Sequence, residues 1–291
     1  MIQDIKPHVF RNEFSRRAPA ADNSPVILYQ SGSFLLGLDE TGHEIRFPTA
    51  ADLTEEARES LMYLFELDGI RYYAPVLPDV FSAMSDHAAY TPRQLTELRR
   101  TGSEPKEYMF LLFTAYHLLE WVRANRFCGC CGGMMKQDET ERAMFCPACR
   151  RKVYPRINPA VIIGVINGDR LLITRYRSGY GLNALVAGFT EIGETFEETV
   201  AREVMEEAGL RVKNIRYYKS QPWGIAADIL TGYYCEVDGD DTIHMDSTEL
   251  KYAEWVARDE IELQPSPYSL TNEMMQQFRD GHIHALDADI H

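Results

Sequence analysis

Apolar residues recur at helical spacing in two parts of the sequence. They predict a helix over residues 106–125, which is expected to join the two halves of the chain, and an amphipathic helix near the end. The residues that set the period are Met109, Leu112, Phe113, Tyr116 and Leu119 in the first helix and Leu270, Met274 and Phe278 in the second.

Short apolar runs bounded by turn residues predict strands. Three pairs of runs are expected to form hairpins: 34–38 with 44–47 through 39–42, 63–67 with 70–74, and 161–166 with 170–174. Further strands are expected over residues 184–187, 215–220, 229–237 and 252–256. Thr91-Pro92 is expected to open a short helix that ends near Arg100. This mixture of helices and strands predicts an α/β fold.

One further helix has recognisable signals at both of its ends. Thr195 and Glu198 form a capping box, and Gly209 supplies the left-handed residue that commonly ends a helix. Three glutamates at i, i+3 and i+4 share one face of this helix and repel one another: Glu203, Glu206 and Glu207. Such a cluster suits Mg²⁺ or Mn²⁺, which takes its remaining ligands from a substrate phosphate. The pattern predicts a site for phosphate-transfer chemistry.

A solvated acidic face is the alternative interpretation of these glutamates. Glu203 and Glu207, however, fall nearly in line with Phe196 and Val200, at the edge of the apolar stripe that includes Val204. Freely solvated carboxylates normally lie opposite such a stripe. The spacing therefore favours a functional site.

Four of the six cysteines form two pairs with the spacing of a zinc site: Cys128 and Cys131, then Cys146 and Cys149. Four thiolates complete a tetrahedron and leave no position for water, so we expect one structural Zn²⁺ that holds a short ribbon together. A pairing through Cys130 is an alternative, although it changes the two-residue spacer. Cys130 and Cys235 are expected to be inert thiols.

Composition limits the classes of protein that this chain can represent. With 291 residues, 45% of them hydrophobic, the chain is long enough for two domains. Its net charge of −14 and pI near 5.1 argue against non-specific binding of nucleic acid or anionic membranes. The sequence contains neither a signal peptide nor an apolar run of membrane-spanning length, so we expect a cytoplasmic protein.

The same patterns divide the chain into four segments. We expect a mixed α/β domain over residues 1–105, a connecting helix over 106–125, a zinc ribbon over 126–155 and a larger α/β domain over 156–291. The first segment contains no chemical motif and is interpreted as scaffold. Motifs for dinucleotide redox enzymes, P-loop proteins and serine hydrolases are absent from the sequence.

The glutamate helix and the loop before it together resemble the Nudix box at every fixed position. These positions are Gly188, Glu194, Arg202, Glu203, Val204, Glu206, Glu207, Gly209 and Leu210. The resemblance implies an α/β/α sandwich that hydrolyses a nucleoside diphosphate linked to another group. Arg202 is expected to orient the glutamates through salt bridges.

A zinc ribbon before this segment and Ser220-Gln221-Pro222-Trp223 after it resemble the NADH pyrophosphatase family. The resemblance implies a homodimer that splits NAD(H) into AMP and nicotinamide mononucleotide with two or three Mg²⁺ or Mn²⁺ ions. It implies metal ligands at Glu203, Glu206, Glu207, Glu249 and the Ala187 carbonyl, with Glu207 as our choice of base. It implies substrate contacts at Glu141, Tyr154, Phe189, Gln221, Trp223, Asp228 and Glu249, with Tyr154 and Phe189 against the adenine.

One departure from that family affects the expected substrate. Where the family continues Pro-Phe-Pro, any residue, Ser, this sequence continues Gly224, Ile225, Ala226, Ala227 and Asp228. Hydrolysis of ADP-ribose, FAD, diadenosine compounds or the NAD cap of RNA is therefore an alternative. A non-catalytic nucleotide sensor is a second alternative, although clustered carboxylates that repel one another when empty would not help a sensor.

Overall fold

The computed structural model describes residues 1–38, 45–84, 88–101, 105–177, 181–265 and 267–283. The predicted turn over 39–42 and the histidines at the end of the chain, from His284 onward, lie outside these ranges. The described chain forms two compact units. The N-terminal unit contains Gln3–Arg156 and Gly224–Ala226, and the C-terminal unit contains Met1–Ile2, Ile157–Trp223 and the chain from Ala227 onward.

The described residues of the N-terminal unit form three small antiparallel sheets and three α-helices. Its strands are β1 Phe10–Arg11, β2 Tyr29–Gln30, β3 Ser33–Leu38, β4 Ile45–Arg46, β5 Leu61–Leu67, β6 Ile70–Pro75, β7 Thr91–Gln94, β8 Lys136–Gln137, β9 Met144–Phe145 and β10 Lys152–Val153. Its helices are α1 Glu55–Glu59, α2 Leu95–Thr101 and α3 Lys106–Ala124, with 3₁₀ turns at Phe14–Arg16, Ala50–Asp52, Phe81–Ala83 and Gly224–Ala226. The sheets have the strand orders β1-β5-β6, β2-β3-β4 with β7 on β3, and β10-β9-β8.

The predicted helix start at Thr91-Pro92 is wrong. Residues Thr91–Gln94 form β7, which pairs with β3 so that Pro92 lies opposite Leu35, and α2 begins only at Leu95. Proline has no backbone N–H and is tolerated at a strand edge as well as in the first turn of a helix. Pro92 alone could therefore not distinguish the two structures.

The C-terminal unit is built on one six-stranded mixed sheet. Its strands are β11 Asn158–Asn167, β12 Arg170–Tyr176, β13 Val186–Phe189, β14 Val212–Trp223, β15 Asp228–Val237 and β16 Leu250–Ala257. Its helices are α4 Phe196–Ala208 and α5 Leu270–Arg279, with a 3₁₀ turn at Arg258–Glu260. The strand order is β14-β15-β11-β12-β16, β13 pairs with β11, and β11 and β15 are parallel.

Alternating residues of β11 face the two helices on opposite sides of this sheet, as the two-residue period of a strand requires. Val161, Ile163 and Val165 are buried in one core with α4, whereas Ala160, Ile162 and Ile166 are buried in another core with α5. The α4 core contains Val200, Val204 and Ala208; the α5 core contains Leu270, Met274, Met275 and Phe278. The predicted α/β/α sandwich is confirmed.

The predicted ends of α4 are also observed. The Thr195 hydroxyl accepts a hydrogen bond from the Glu198 amide, and the Glu198 carboxylate accepts one from the Thr195 amide. Gly209 follows the helix with φ of 69°, a conformation that costs glycine little. In the part of the chain that the structure describes, every helix is too short or too polar to span a membrane.

Candidate functional site

The three glutamates of α4 differ sharply in exposure. Glu207 is 2% exposed, while 12% of the Glu203 side chain and 59% of the Glu206 side chain remain accessible. A carboxylate as buried as Glu207 is costly without a partner, since its charged form loses hydration. The sequence pattern indicates that the three glutamates share one face of α4, but it does not indicate that they differ in burial.

Strand β13 brings its backbone directly against these glutamates. A Cβ atom on Gly188 would lie 2.0 Å from the Glu203 carboxylate carbon, so only glycine leaves room for this side chain where it lies. The Tyr176 hydroxyl lies 3.5 Å from the Ala187 carbonyl oxygen and 3.2 and 3.3 Å from the two carboxylate oxygens of Glu207. The sequence-predicted residues Ala187, Glu203 and Glu207 are therefore brought together.

Tyr176 is a residue that sequence reasoning did not find. It stands at the end of β12, where the pairing with β16 shifts register between Arg175 and Tyr176. Burial raises the pKa of its hydroxyl, and the neighbouring Glu207 carboxylate adds to that effect. The hydroxyl is thus a proton donor beside the glutamates, and nothing in the local sequence signals its position.

Burial raises the pKa of Glu207 to about 8, and the negative charges of Glu203 and Glu249 act in the same direction. The Tyr176 hydrogen bond opposes this shift without cancelling it. Burial also raises the pKa of Glu203. Glu249, whose side chain is exposed, is near enough to influence both groups. These carboxylates form a site of high negative potential that a cation would relieve.

Arg202 is the cation that the chain itself supplies. Its guanidinium donates hydrogen bonds of 2.6 and 2.9 Å to Glu194, 2.8 Å to Glu203 and 2.9 Å to Glu206. It also donates one of 2.9 Å to the Phe189 carbonyl. Its hydrogen bonds hold the pKa of Glu194 down at about 2. The expected salt bridges between Arg202 and the box glutamates are present, and they tie α4 to the loop before it.

The donor set around Glu207 suits a hard divalent cation. It consists of carboxylate oxygens and one backbone carbonyl, the ligands that Mg²⁺ and Mn²⁺ prefer. Within the described ranges, however, the four ribbon cysteines are the only group of three or more Cys, His, Asp or Glu residues whose ligand atoms all lie within 4.8 Å of one another. Glu203 and Glu206 are turned toward Arg202 instead. The oxygen donors fit such an ion chemically. Glu203 and Glu206 would then have to contact Arg202 with one carboxylate oxygen and the ion with the other.

The four ribbon cysteines form the predicted zinc site. The Sγ atoms of Cys128 and Cys149 are 3.5 Å apart, as are those of Cys131 and Cys146. A tetrahedral zinc with Zn–S bonds of about 2.3 Å needs sulfurs about 3.8 Å apart, so the cluster fits the ion closely. Cys130 is exposed and outside this cluster, and Cys235 is buried in the α4 core. The pairing through Cys130 is therefore wrong.

The ribbon also contains two of the predicted substrate residues. The Tyr154 hydroxyl donates a 2.6 Å hydrogen bond to Glu141, whose carboxylate lies 3.5 Å from the Lys152 ammonium. Tyr154 remains 55% exposed, so its ring is accessible to another ring. The structure brings Tyr154 and Glu141 together, which their sequence separation does not indicate.

The remaining predicted substrate residues lie in the C-terminal unit and have different environments. Phe189 is 54% exposed, while Trp223 packs against the α5 core. Asp228 is buried, and its carboxylate accepts a 3.3 Å hydrogen bond from the side-chain Nδ2 of Asn158. Gln221 is fully buried, where it donates to the Tyr268 carbonyl and accepts from the Leu270 amide, both at 2.6 Å. Gln221 thus fixes the start of α5, and its contact with substrate stays a prediction.

Two families of known domains match this chain. The Nudix domain family matches residues 156–278, and the family described as the NADH pyrophosphatase zinc ribbon domain matches residues 123–154. A solved Nudix hydrolase from Nitrosomonas europaea is 21% identical and aligns with a TM-score of 0.47 over 54% of this chain and 92% of its own.

Curated relatives are more similar in sequence. The NAD-capped RNA hydrolase NudC of Enterobacter sp. (strain 638) is 39% identical over 160 residues, which are 55% of this chain and 62% of the relative. The protein of the same name from Shigella flexneri is 41% identical over 162 residues with the same coverage. The chain thus covers less than two thirds of the length of these relatives.

The capped glutamate helix on its mixed sheet, together with the match over residues 156–278, defines the C-terminal unit as a Nudix domain. The ribbon that precedes it matches that of the NADH pyrophosphatases. The chain therefore combines a Nudix domain with a zinc ribbon of the kind described for NADH pyrophosphatases, and both parts of the predicted resemblance are confirmed.

Proposed function

We propose that this protein hydrolyses the diphosphate bridge of NAD(H) and releases AMP and nicotinamide mononucleotide. The observation that supports this most is the convergence of Glu203, Glu207 and the Ala187 carbonyl around the Tyr176 hydroxyl and Gly188. Buried oxygen donors gathered on a rigid helix are suited to hold a cation against a diphosphate.

We propose that Glu203, Glu206, Glu207, Glu249 and the Ala187 carbonyl hold two or three Mg²⁺ or Mn²⁺ ions. When bound, such ions neutralise the diphosphate and make the attacking water more acidic. The chain's own contribution is to fix the donors. Arg202 lies on α4 and donates a hydrogen bond to Glu203 on the same helix. It also donates hydrogen bonds to Glu194 in the loop before α4 and to the Phe189 carbonyl at the end of β13. This arrangement limits the motion of the site before substrate arrives.

Glu207 is the proposed general base, with its carboxylate accepting the proton of the attacking water. Its burial favours the protonated form, which the raised pKa of about 8 reflects. This pKa describes the site without a bound ion, and a cation beside the carboxylate would favour its charged form, which is the form that accepts a proton. The Tyr176 hydroxyl steadies the same carboxylate by hydrogen bonding.

We propose that the exposed ring of Phe189 contacts the adenine of the substrate and that Trp223 and Asp228 support the pocket in the same unit. As the family resemblance implies, we also propose that Tyr154 with its partner Glu141 contacts substrate. Stacking on an aromatic ring contributes about 1–3 kcal/mol per base. We also propose that the protein acts as a homodimer, as the family resemblance implies. Light scattering on the purified protein would contradict this part if it gave the mass of one chain.

The NAD cap of RNA is a second candidate substrate, because the curated relatives at 39–41% identity are named NAD-capped RNA hydrolases. The cap presents the same diphosphate bridge as free NAD. The net charge of −14 gives the protein little general attraction for an RNA chain. The cap itself would therefore have to provide most of the recognition.

A substrate panel tests the proposed function directly. The protein is incubated with NADH, NAD⁺, ADP-ribose, FAD, diadenosine compounds or NAD-capped RNA, each with Mg²⁺ or Mn²⁺, and products are identified by chromatography and mass spectrometry. We expect AMP and reduced nicotinamide mononucleotide from NADH, and no product when the ion is chelated. Absence of these products with either ion would contradict the proposal.

Weak discrimination among AMP-containing diphosphates is expected. Residues 224–226 form a 3₁₀ turn packed against α3, where a Cβ on Gly224 would lie 2.2 Å from the Phe113 carbonyl oxygen. This segment lacks the prolines and the aromatic ring that would hold a nicotinamide rigidly. We expect kcat/KM values for NADH, NAD⁺, ADP-ribose and FAD to lie within about tenfold of one another, or about 1.4 kcal/mol.

Three variants sharpen this measurement. Phe189→Ala should lower all four kcat/KM values. If the ring stacks on adenine, the lost stabilisation should be about 1–3 kcal/mol. Tyr217→Ala is the matched control, since Tyr217 is another exposed aromatic of the same unit at 58%. Ile225→Phe, which restores a ring to the altered segment, should favour NADH. A hundredfold preference of the parent for NADH, or unchanged rates in Phe189→Ala, would contradict this account of the pocket.

Removal of zinc should loosen residues 126–153 without deleting any catalytic group. The cluster fits a closed tetrahedral site, and zinc bound in such sites contributes on the order of 10 kcal/mol to folding. Cys131→Ser should therefore lose the ion and its hydrogen-exchange protection, whereas Cys130→Ser, in the same loop, should keep both. Protein purified under reducing conditions without tightly bound zinc would show the assignment to be wrong.

A further inference from the structure

A cavity of about 530 Å³ lies within the N-terminal unit, where the sequence shows no chemical motif. We call it the α3 cavity. Its walls are the turn after β2, the segment after β6 and the second half of α3 with the residue Arg126. A volume of this size is within the range of small-molecule sites, about 300–1,000 Å³. Neither the Nudix site nor the zinc site uses any residue of this wall.

The walls of the α3 cavity are held in place by side chains. The Tyr29 hydroxyl donates a 2.9 Å hydrogen bond to Glu120 and accepts one of 3.1 Å from the Gly32 amide. On the other wall, the Gln30 side-chain oxygen accepts from the amides of Val80 and Phe81, at 2.8 and 3.2 Å. A cavity fixed in this way needs little ordering when a ligand binds.

The charges that line the α3 cavity leave one cation in excess. Arg123 donates to both oxygens of Glu120 at 2.6–3.2 Å, so these two side chains neutralise each other. Arg126 is an exposed residue that lines the cavity, and within the described ranges no carboxylate lies within 4.0 Å of its guanidinium. A guanidinium without a partner is well suited to bind a phosphate with two parallel hydrogen bonds.

The rest of the wall is apolar and aromatic. Ile27 and Val122 are buried, Leu119 and Val80 are half-buried beside them, and Tyr116 packs edge-on against Tyr29 with ring centroids 5.4 Å apart. Such a surface favours a flat ring that loses water on binding. The cavity thus pairs one site for an anion with one for a ring.

We propose that the α3 cavity binds a mononucleotide, with the phosphate on Arg126 and the base against the apolar wall. The proposal goes beyond hydrolysis at the Nudix site and does not depend on it. AMP is the probe, because it carries both groups and contains no diphosphate bridge for the Nudix site to cut. Adenosine, which lacks the phosphate, is the matched ligand control.

Amide hydrogen exchange, measured separately for each segment of the chain, distinguishes AMP bound in this cavity from AMP bound elsewhere. In the parent, AMP should slow exchange at least threefold in residues 27–32 and 75–80. Arg126→Ala should reduce the affinity measured at these segments at least tenfold, and adenosine should bind the parent more weakly by the same factor. Arg11→Ala, which removes an exposed arginine elsewhere in this unit, should change nothing.

Leu119→Trp, which fills the α3 cavity, is a second test and should abolish protection of residues 27–32 while the variant remains folded by circular dichroism. If AMP leaves both segments unprotected in the parent, the proposal is wrong. It is equally wrong if Arg126→Ala binds with unchanged affinity or adenosine binds as tightly as AMP. Changes confined to the segment around α4 would assign AMP to the Nudix site alone.

Discussion

Glu207→Gln should reduce hydrolysis by about 10²–10⁴-fold, the usual contribution of a general base, while leaving the fold intact. The substitution keeps the side-chain volume and removes the ability to ionise, at a residue that is 2% exposed and accepts a hydrogen bond from the Tyr176 hydroxyl. A buried carboxylate is costly to hold in its charged form, so the amide should not lower the melting temperature. The measurement is kcat/KM for NADH with Mn²⁺, with the thermal transition recorded beside it.

The control is Glu197→Gln, which makes the same change in the first turn of α4 on an exposed side chain. It should retain the activity of the parent. If kcat/KM of Glu207→Gln lies within tenfold of the parent value, the variant has lost no more than about 1.4 kcal/mol of transition-state stabilisation. That outcome would remove Glu207 from the proposed mechanism.

Gly188→Ala should cost about 100-fold or more in activity, a loss of about 2.7 kcal/mol in transition-state stabilisation. The new Cβ would lie 2.0 Å from the carboxylate carbon of Glu203, far inside contact distance. The carboxylate is the end of a flexible side chain, so it can swing away and the fold survives. What is lost is the position of a proposed metal ligand, and sites displaced by about 1 Å commonly lose this much activity.

Gly181→Ala is the control for that substitution, because no atom of the residues that the structure describes, its two chain neighbours apart, lies within 4 Å of a Cβ at Gly181. Both variants should melt close to the parent, and only Gly188→Ala should need more Mn²⁺ for half-maximal rate. Full activity in Gly188→Ala would show that the position of Glu203 beside β13 is unimportant for catalysis. Unfolding of Gly188→Ala would show instead that Glu203 cannot move.

Local rules account for what the sequence could predict. The capping box at Thr195, the glycine after α4 and the spacing of the glutamates all depend on residues within one or two turns of one another. The two-residue spacing within each cysteine pair is local in the same sense. Each of these predictions could therefore be made from the order of residues alone.

The parts that could not be predicted depend on register between distant strands. Tyr176 reaches Glu207, 31 residues away, only because β12 extends two residues past the predicted strand. Gln221 lies in β14, whose pairing with β15 shifts register twice, so alternation could not show that this polar side chain points inward. The family resemblance predicts which residues matter at such positions, but it does not predict where their side chains point.

The arrangement of the six cysteines has a practical consequence. Four of them face one another across the ribbon site, where zinc would shield them, and Cys235 has no exposed surface. Cys130 alone is exposed outside the cluster. A maleimide dye added to the zinc-loaded protein should therefore attach at a single position in each chain. The same label would report when the ion is withdrawn, because the stoichiometry of modification would then rise from one to five.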